Sequence, residues 1–179
     1  MVPTAEHPDS THAEERAVES VHETAIVNAI IIENRSLKMH LALLAKVNDV
    51  RSKLVLELLA VDGAGQLESF CNLFADNEDE LINTLIDNSI YADPYCCSLF
   101  DSVDGGSAEI DALLIALREE QICIRRYSEC VETIQVPHIR DVFVRILNET
   151  HKHCEMILEE YMRLMNMVAG TGPDSFMCE

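Results

Sequence analysis

Two segments of this chain, 87 residues apart, carry the same helical pattern and therefore require the same kind of local fold. Residues 31–70 align with residues 118–157 without a gap, and apolar side chains recur every three or four residues in both. Each pattern is broken near its middle, at Asn48-Asp49 in the first segment and before Pro137 in the second. A helical pattern with one central break predicts a helical hairpin, so we expect two hairpins.

Capping residues and connection lengths predict how the four helices are joined. Ser10 or Thr11 suits the cap of the first helix, which should run to about Val47. Asn48-Asp49 can end that helix and cap the second. Ser107 suits the cap of the third helix, and Pro137 the first turn of the fourth. Short connections make the helices of each hairpin antiparallel neighbours, whereas the middle connection is long enough to cross a bundle. The chain is therefore predicted to be an all-α four-helix bundle over residues 10–168, two antiparallel helical hairpins joined by a long crossover. Its parts are a flexible tail (1–9), hairpin one (about 10–75), the crossover (about 76–106), hairpin two (about 107–168) and a second tail (169–179).

The charge balance restricts the kinds of partner that the chain can bind. Its 32 acidic and 13 basic residues give a formal net charge of −19, and residues 54–117 hold thirteen acids without a Lys or Arg. Nucleic acids and anionic membrane surfaces need the opposite sign, so neither is an expected partner. A metal cation or a basic partner is compatible with this charge, and so is a merely solvated acidic surface.

Cysteine usage and the first residues indicate a cytoplasmic protein. The seven cysteines are odd in number and include no C-x-x-C pair, which favours reduced thiols over a disulfide framework or a structural zinc site. The first residues are acidic and lack the pattern of a secretory signal. No apolar run approaches the ~20 residues that a membrane span needs.

Two matching carboxylates stand inside the repeat at positions where the pattern predicts burial. Glu33 aligns with Glu120, and seven residues later His40 aligns with Tyr127. Buried carboxylates are costly unless they are paired or bind a metal. The pair therefore indicates either metal ligands or a hydrogen-bonded polar layer. Hydrogen-bonding partners in such a layer would be His40, Tyr127, His153 or Gln66.

Two glycines interrupt the second predicted helix. Gly63 and Gly65 are the only glycines before Gly105, and a glycine inside a helix costs roughly 1 kcal/mol relative to alanine. Gly63 falls on the predicted inner face of that helix. A small residue there would either fill an emptied site or let a helix or ligand approach closely.

The second hairpin, ALREEQICIRRYSECVETIQVPHIRDVFVRILNETHKHCEMILEEY, resembles the second half of the ferritin-like superfamily, rubrerythrin-type proteins especially. The shared features are a Glu, a Tyr seven residues later, and a following helix with acidic residues and a His. The resemblance covers about residues 25–162. It implies a ferritin-like four-helix bundle, in which two helices each give a Glu and the other two each give Glu-x-x-His to a pair of irons.

By this resemblance, three of the six iron ligands remain. Glu33 and Glu120 match the Glu ligands of the first and third helices, and His153 matches the His of the fourth helix. Carboxylate and imidazole ligands suit iron and zinc alike. The resemblance therefore implies at most one metal ion, held by these three side chains and water.

The other three ligand positions are replaced. Gly63 and Thr150 stand at the two bridging Glu positions, and Gln66 stands at the second His position. Di-iron oxidase or peroxidase chemistry needs the bridging carboxylates, so the resemblance does not carry that activity over. Whether the chain is an enzyme stays open.

Two functions from different classes follow from the sequence. The first is a diverged ferritin-like protein with a residual mononuclear non-haem metal site, iron or else zinc, in the bundle core. The second is a metal-free helical bundle that serves as a scaffold or as a homodimeric interaction protein. In the first, Glu33, Glu120 and His153 bind the metal, and the side chains expected around them are His40, Tyr127, Thr150 and Gln66.

Overall fold

The computed structural model describes residues 9–73, 101, 103 and 108–170, with side chains described from residue 21 to residue 169 within these ranges. These residues form four helices and no strand, which confirms the all-α class and the four-helix bundle. Apart from residues 9, 101, 103, 169 and 170, the predicted tails, the crossover and the Ser107 cap lie outside the described residues. The helices are α1 (Asp9–Leu44), α2 (Val50–Cys71), α3 (Ala108–Thr133) and α4 (Pro137–Gly170).

Each helix packs against its hairpin partner and against one helix of the other hairpin. Helix α1 lies beside α3, and its contacts run in opposite chain directions: Glu33 meets Tyr127, whereas Asn48, just past the end of α1, meets Glu109. The two helices are therefore antiparallel.

Helix α2 is likewise antiparallel to α4. Ser52 at the start of α2 meets Glu160, and Gln66 near its end meets Glu149. The end of α2 and the start of α3 consequently lie at opposite ends of the bundle. All four pairs of neighbouring helices are thus antiparallel.

The turn of the first hairpin is fixed by side chains from both hairpins. Asp49 caps α2, because its carboxylate accepts hydrogen bonds from the backbone N–H groups of Arg51 and Ser52 at 3.0 Å each. One oxygen of Glu109 on α3 accepts from the backbone N–H groups of Asn48 and Asp49, at 2.9 and 3.2 Å. Because these N–H groups are held outside a helix, α1 ends at Leu44, three residues before the predicted Val47.

The core consists of two apolar clusters, one toward each end of the bundle. One cluster is built around Met39, Leu56, Leu113 and Ile157, and the other around Ile30, Phe70, Phe143 and Ile146. On α1, α3 and α4 the buried residues between the two clusters are polar, whereas α2 contributes Ala60, Gly63 and Gln66 there. The buried positions therefore alternate along the bundle as apolar, polar and apolar.

None of the described helices is long and apolar enough to cross a membrane. The four cysteines whose side chains are described, Cys71, Cys123, Cys130 and Cys154, are free thiols.

Candidate functional site

A buried polar layer separates the two apolar clusters. All seven residues predicted for the site lie in it, and each residue as a whole is no more than 5 % exposed. Asp62 joins the layer from the edge of α2. The layer consists of Glu33, His40, Asp62, Gln66, Glu120, Tyr127, Thr150 and His153.

Glu33 is held as a neutral acid in this layer. Burial raises the pKa of its carboxyl from 4.5 to about 8, against the opposing effect of a hydrogen bond from Tyr127. The Tyr127 hydroxyl donates that bond to Oε1 of Glu33 at 2.5 Å. The nearby charge of Glu120 raises the pKa of Glu33 further, so the two carboxyls share one electrostatic environment.

His153 lies between two carboxylates. Its Nδ1 is 3.1 Å from Oε2 of Glu120, and its Nε2 is 3.1 Å from Oδ2 of Asp62. Burial disfavours the charged ring, but the hydrogen bonds and charges of Glu120 and Asp62 outweigh that effect and raise the pKa of His153. The raised pKa favours the doubly protonated ring, which can donate to both carboxylates.

His40 lies on the other side of Glu120. Its Nε2 is 3.5 Å from Oε1 of Glu120, within the range of an ion pair. Neither ring nitrogen has a hydrogen-bond partner among the described residues. Burial lowers the pKa of His40 to about 4, so the ring is neutral and keeps a nitrogen lone pair.

The three positions that lack a predicted ligand are also buried in this layer. The Thr150 hydroxyl donates to the carbonyl of Ile146 in its own helix at 2.9 Å, so it is not directed at the carboxylates. The amide of Gln66 donates to Glu149 at 3.3 Å. Gly63 adds no side chain. None of the three supplies a bridging carboxylate.

Comparison of the chain with protein-family models, with curated proteins and with solved structures finds no match. Membership of the ferritin-like superfamily therefore stays a prediction.

Gly63 is not required by close packing. A Cβ atom built on Gly63 would meet only the Cβ of Leu37, at 4.0 Å, which is ordinary van der Waals contact. The idea that Gly63 lets another helix approach closely is therefore not supported. The position has the space that a removed side chain would leave.

Replacing Gly63 with alanine is expected to raise the free energy of unfolding by roughly 0.5–1 kcal/mol, because alanine removes the entropic cost of glycine in a helix. Denaturant unfolding of Gly63→Ala beside the unmodified chain measures the change. A loss of stability would mean that the space at Gly63 is occupied, for instance by bound water, and that the methyl group displaces something the layer needs.

A groove of about 620 Å³ between α2 and α4 connects the layer to solvent. Asp62, Gln66, Glu149 and His153 are among its polar lining residues. The side chain of Asp62 is 44 % exposed, whereas that of His153 is 6 % exposed. A small cation has a short path through this groove to the ring of His153.

Sequence reasoning missed the role of Asp62. Asp62 stands one position before the replaced Gly63 and contacts His153 on α4. The available signal was its alignment with Glu149, which likewise crosses between α2 and α4 to meet Gln66. Asp62 and Glu149 are aligned acids, each one position before a replaced bridging Glu. This match could have indicated that both side chains contact the neighbouring helix.

Two further buried acids lie outside the predicted site. Glu119 pairs with Arg35 at 2.7 Å between α3 and α1. Glu160 accepts a hydrogen bond from Ser52 at 2.9 Å and pairs with Arg163 at 2.6 Å. Each of these acids has a cationic partner, so both are accounted for as structural ion pairs.

The polar layer places one carboxylate between two histidine rings. Among the described residues, no three His, Cys, Asp or Glu side chains form a ready-made metal-binding group. Nδ1 of His153 and Oε2 of Glu120 nevertheless face each other, and the unpartnered ring of His40 lies beside the same carboxylate.

Proposed function

We propose that this chain is a diverged ferritin-like bundle whose polar layer binds one divalent transition-metal ion, iron or else zinc. Glu120 and His153 are the first ligands in this proposal, and Glu33 is the third. The observation that carries it is the position of His153, whose two ring nitrogens face two different carboxylates.

Asp62 gives His153 the setting of a metal ligand. A histidine that binds a metal through one nitrogen almost always donates its other N–H to a carboxylate or carbonyl, which fixes the tautomer and the ring orientation. Asp62 is in that position at Nε2. Nδ1 is then the nitrogen left for a metal, and in the metal-free protein a proton takes the metal's place between Nδ1 and Glu120.

Glu33 and His40 complete the donor set. A cation in the layer would favour the ionised form of Glu33, which burial otherwise keeps protonated. His40 is neutral, and its ring nitrogens have no hydrogen-bond partner among the described residues. Its ring is therefore available either as a further ligand or as a hydrogen-bonding partner of a metal-bound water. Carboxylate and imidazole donors together suit divalent iron and zinc.

Two features support the ferritin-like part of the proposal: the arrangement of the helices and the location of the six ligand positions. All neighbouring helices are antiparallel, and the end of α2 and the start of α3 lie at opposite ends of the bundle, as a long crossover requires. All six positions that the resemblance assigns to metal ligands lie in one buried layer. Three of these positions carry an acid or a histidine, namely Glu33, Glu120 and His153.

When bound, an iron with open coordination positions supplies a centre at which oxygen or peroxide can react. The side chains of the chain hold and orient that ion and keep it away from bulk water. His153 and Glu33 are the groups that exchange protons when the ion enters or leaves.

A metal-free function is the second candidate. It is favoured by the engagement of Glu33 with Tyr127 and of His153 with two carboxylates, which already satisfies much of the layer by hydrogen bonding. Here the polar layer would select one helix register, as buried polar residues do in some bundles.

Metal titration of the chelator-stripped protein distinguishes the two candidates. Anaerobic titration with Fe(II), and separately with Co(II) for its absorption spectrum, is expected to give about one ion per chain. Glu120→Gln and His153→Gln are each expected to weaken binding by about 100-fold or more, and Asp62→Asn by roughly 10- to 100-fold. His151→Gln is the matched control, because His151 is exposed on the same helix two residues away.

Proton release gives a readout that a surface site would not show. Binding near pH 7 is expected to release protons from the layer, the carboxyl proton of Glu33 among them, which calorimetry in buffers of different ionisation enthalpy measures. Failure of the folded protein to bind Fe(II), Co(II) or Zn(II) would reject the metal site in favour of the metal-free bundle. Equal loss of binding in His151→Gln would place the ion on the surface.

A further inference from the structure

The outward face of α2 is apolar over most of its length. Val50, Leu54, Leu58 and Val61 recur every three or four residues, so they form a single stripe along one side of the helix. Their exposed fractions are 71 %, 58 %, 44 % and 64 %. Large apolar side chains in such a row indicate a surface that is covered in the functional state.

The side chains of the stripe become smaller along the helix. Its first half carries bulky side chains, whereas exposed Ala64 and Gly65 continue it at the other end. A Cβ atom at Gly65 would have nothing within 4 Å, so neither the fold of this chain nor its packing requires glycine there. Glycine destabilises a helix relative to alanine, so Gly65 is better explained by close approach from outside the chain.

The charged side chains beside the stripe also differ between its two halves, with basic residues at the start of the helix and an acidic residue near its end. Arg51 and Lys53 stand in the first turn and are exposed, whereas Glu68 is exposed near the end of the helix. Glu57 flanks the middle of the stripe. In two copies of such a helix, opposite charges lie side by side only when the helices are antiparallel, with the start of one beside the end of the other.

We propose that this stripe is a self-association surface, at which α2 packs antiparallel against α2 of a second copy about a two-fold axis. The bulky half of one helix then lies on the small half of the other, so that Leu54 packs over Gly65 and Leu58 over Val61. In the same register Lys53 lies beside Glu68, and Glu57 lies over Ala64. This inference does not depend on the metal site.

A second copy fits this surface better than a different protein partner. Antiparallel self-pairing matches both the size gradient and the charge gradient of the stripe, and a two-fold axis makes each contact occur twice. The stripe from Val50 to Gly65 spans about 22 Å at the usual rise of an α-helix. Two strongly acidic chains repel each other overall, so an interface that places Lys53 and Arg51 toward acidic ends is the favourable one.

Sedimentation equilibrium of the full chain tests the proposal. The unmodified chain is expected to be a dimer at tens of micromolar, and Gly65→Leu is expected to weaken association by at least about tenfold because leucine blocks close approach. The open space at Gly65 lets the single chain accept leucine, so the thermal midpoint of unfolding at low concentration should be unchanged or higher. Gln121→Leu is the matched control, an added leucine on the exposed face of α3.

A charge exchange tests the antiparallel direction. Lys53→Glu alone is expected to weaken the dimer several-fold, and the double variant Lys53→Glu with Glu68→Lys is expected to restore it. If the unmodified chain is a monomer at tens of micromolar, the proposal of self-association is wrong. If Gly65→Leu leaves the dimer unaffected, the α2 stripe is not the dimer interface. Failure of the double variant to recover would overturn the proposed direction.

Discussion

Replacing Glu33 with glutamine is expected to make the metal-free protein more stable near neutral pH by roughly 1–3 kcal/mol. Burial raises the pKa of Glu33 to about 8, so the folded chain keeps this carboxyl protonated where the unfolded chain ionises it. Folding therefore has to take up a proton. Glutamine has the shape of the neutral acid without that cost, and its amide oxygen still accepts the hydrogen bond from Tyr127.

The pH dependence gives this prediction its sign. The folded-state pKa of Glu33 is raised above the unfolded value of 4.5, so its effect on stability is most favourable below pH 4.5. That contribution is lost progressively as the pH rises toward about 8. The difference in stability between Glu33→Gln and the unmodified chain should therefore grow across this window and level off above it.

Urea unfolding at several pH values, with a chelator present, measures that difference. Subtracting the two curves removes the contributions of the other titrating groups, provided that these behave alike in both proteins. If Glu33→Gln were equally or less stable at every pH, Glu33 would be ionised in the folded protein. The reading of the layer as a set of protonated groups would then be wrong.

The largest loss of stability is expected from Phe143→Ala, at about 3–5 kcal/mol. Phe143 is fully buried, and its ring centroid lies 4.8 Å from that of Phe70 and 5.8 Å from that of Tyr127. Alanine would remove the contacts that join α4 to both other aromatic rings and would leave a cavity. Since a domain is typically stable by only 5–15 kcal/mol, this single change would leave a considerable unfolded population.

Guanidinium unfolding with a constant denaturant slope measures the effect of Phe143→Ala. Phe143→Leu is the matched control, because it keeps most of the apolar volume and should lose only about 1–2 kcal/mol. A loss for alanine no larger than that for leucine would mean that α4 closes over the space. The aromatic cluster would then not be what holds Tyr127 against Glu33.

Periodicity and caps explain why the helices were predicted closely. The Asp49 cap and Pro137 set the starts of α2 and α4 through local chemistry, and both helices begin where the sequence predicted. The end of α1 was placed three residues too late, because Glu109 on the other hairpin holds the backbone of Asn48 and Asp49. A contact between residues 60 positions apart leaves no mark on the local pattern.

The candidate site was predicted in composition but not in connectivity. Helical spacing placed Glu33 and Glu120 on inner faces, the resemblance added His153, and all three are buried together. The pairing of His153 with Asp62 was missed. Asp62 precedes Gly63, which lies on the inner face of α2, and consecutive residues of a helix point about 100° apart. Whether such a flanking side chain meets solvent or a neighbour depends on how far α4 is displaced along α2.

The sequence by itself determined the four helices, their inward faces and the burial of Glu33 and Glu120, because these follow from local periodicity and capping. Only the tertiary structure decided which carboxylate meets which histidine, that Glu33 is kept neutral, and that Gly65 faces outward beside an uncovered apolar stripe. The reason is physical. Hydrogen bonds and pKa values depend on distances of a few ångströms between helices, and those distances are set by side-chain packing across the whole bundle rather than by any one segment.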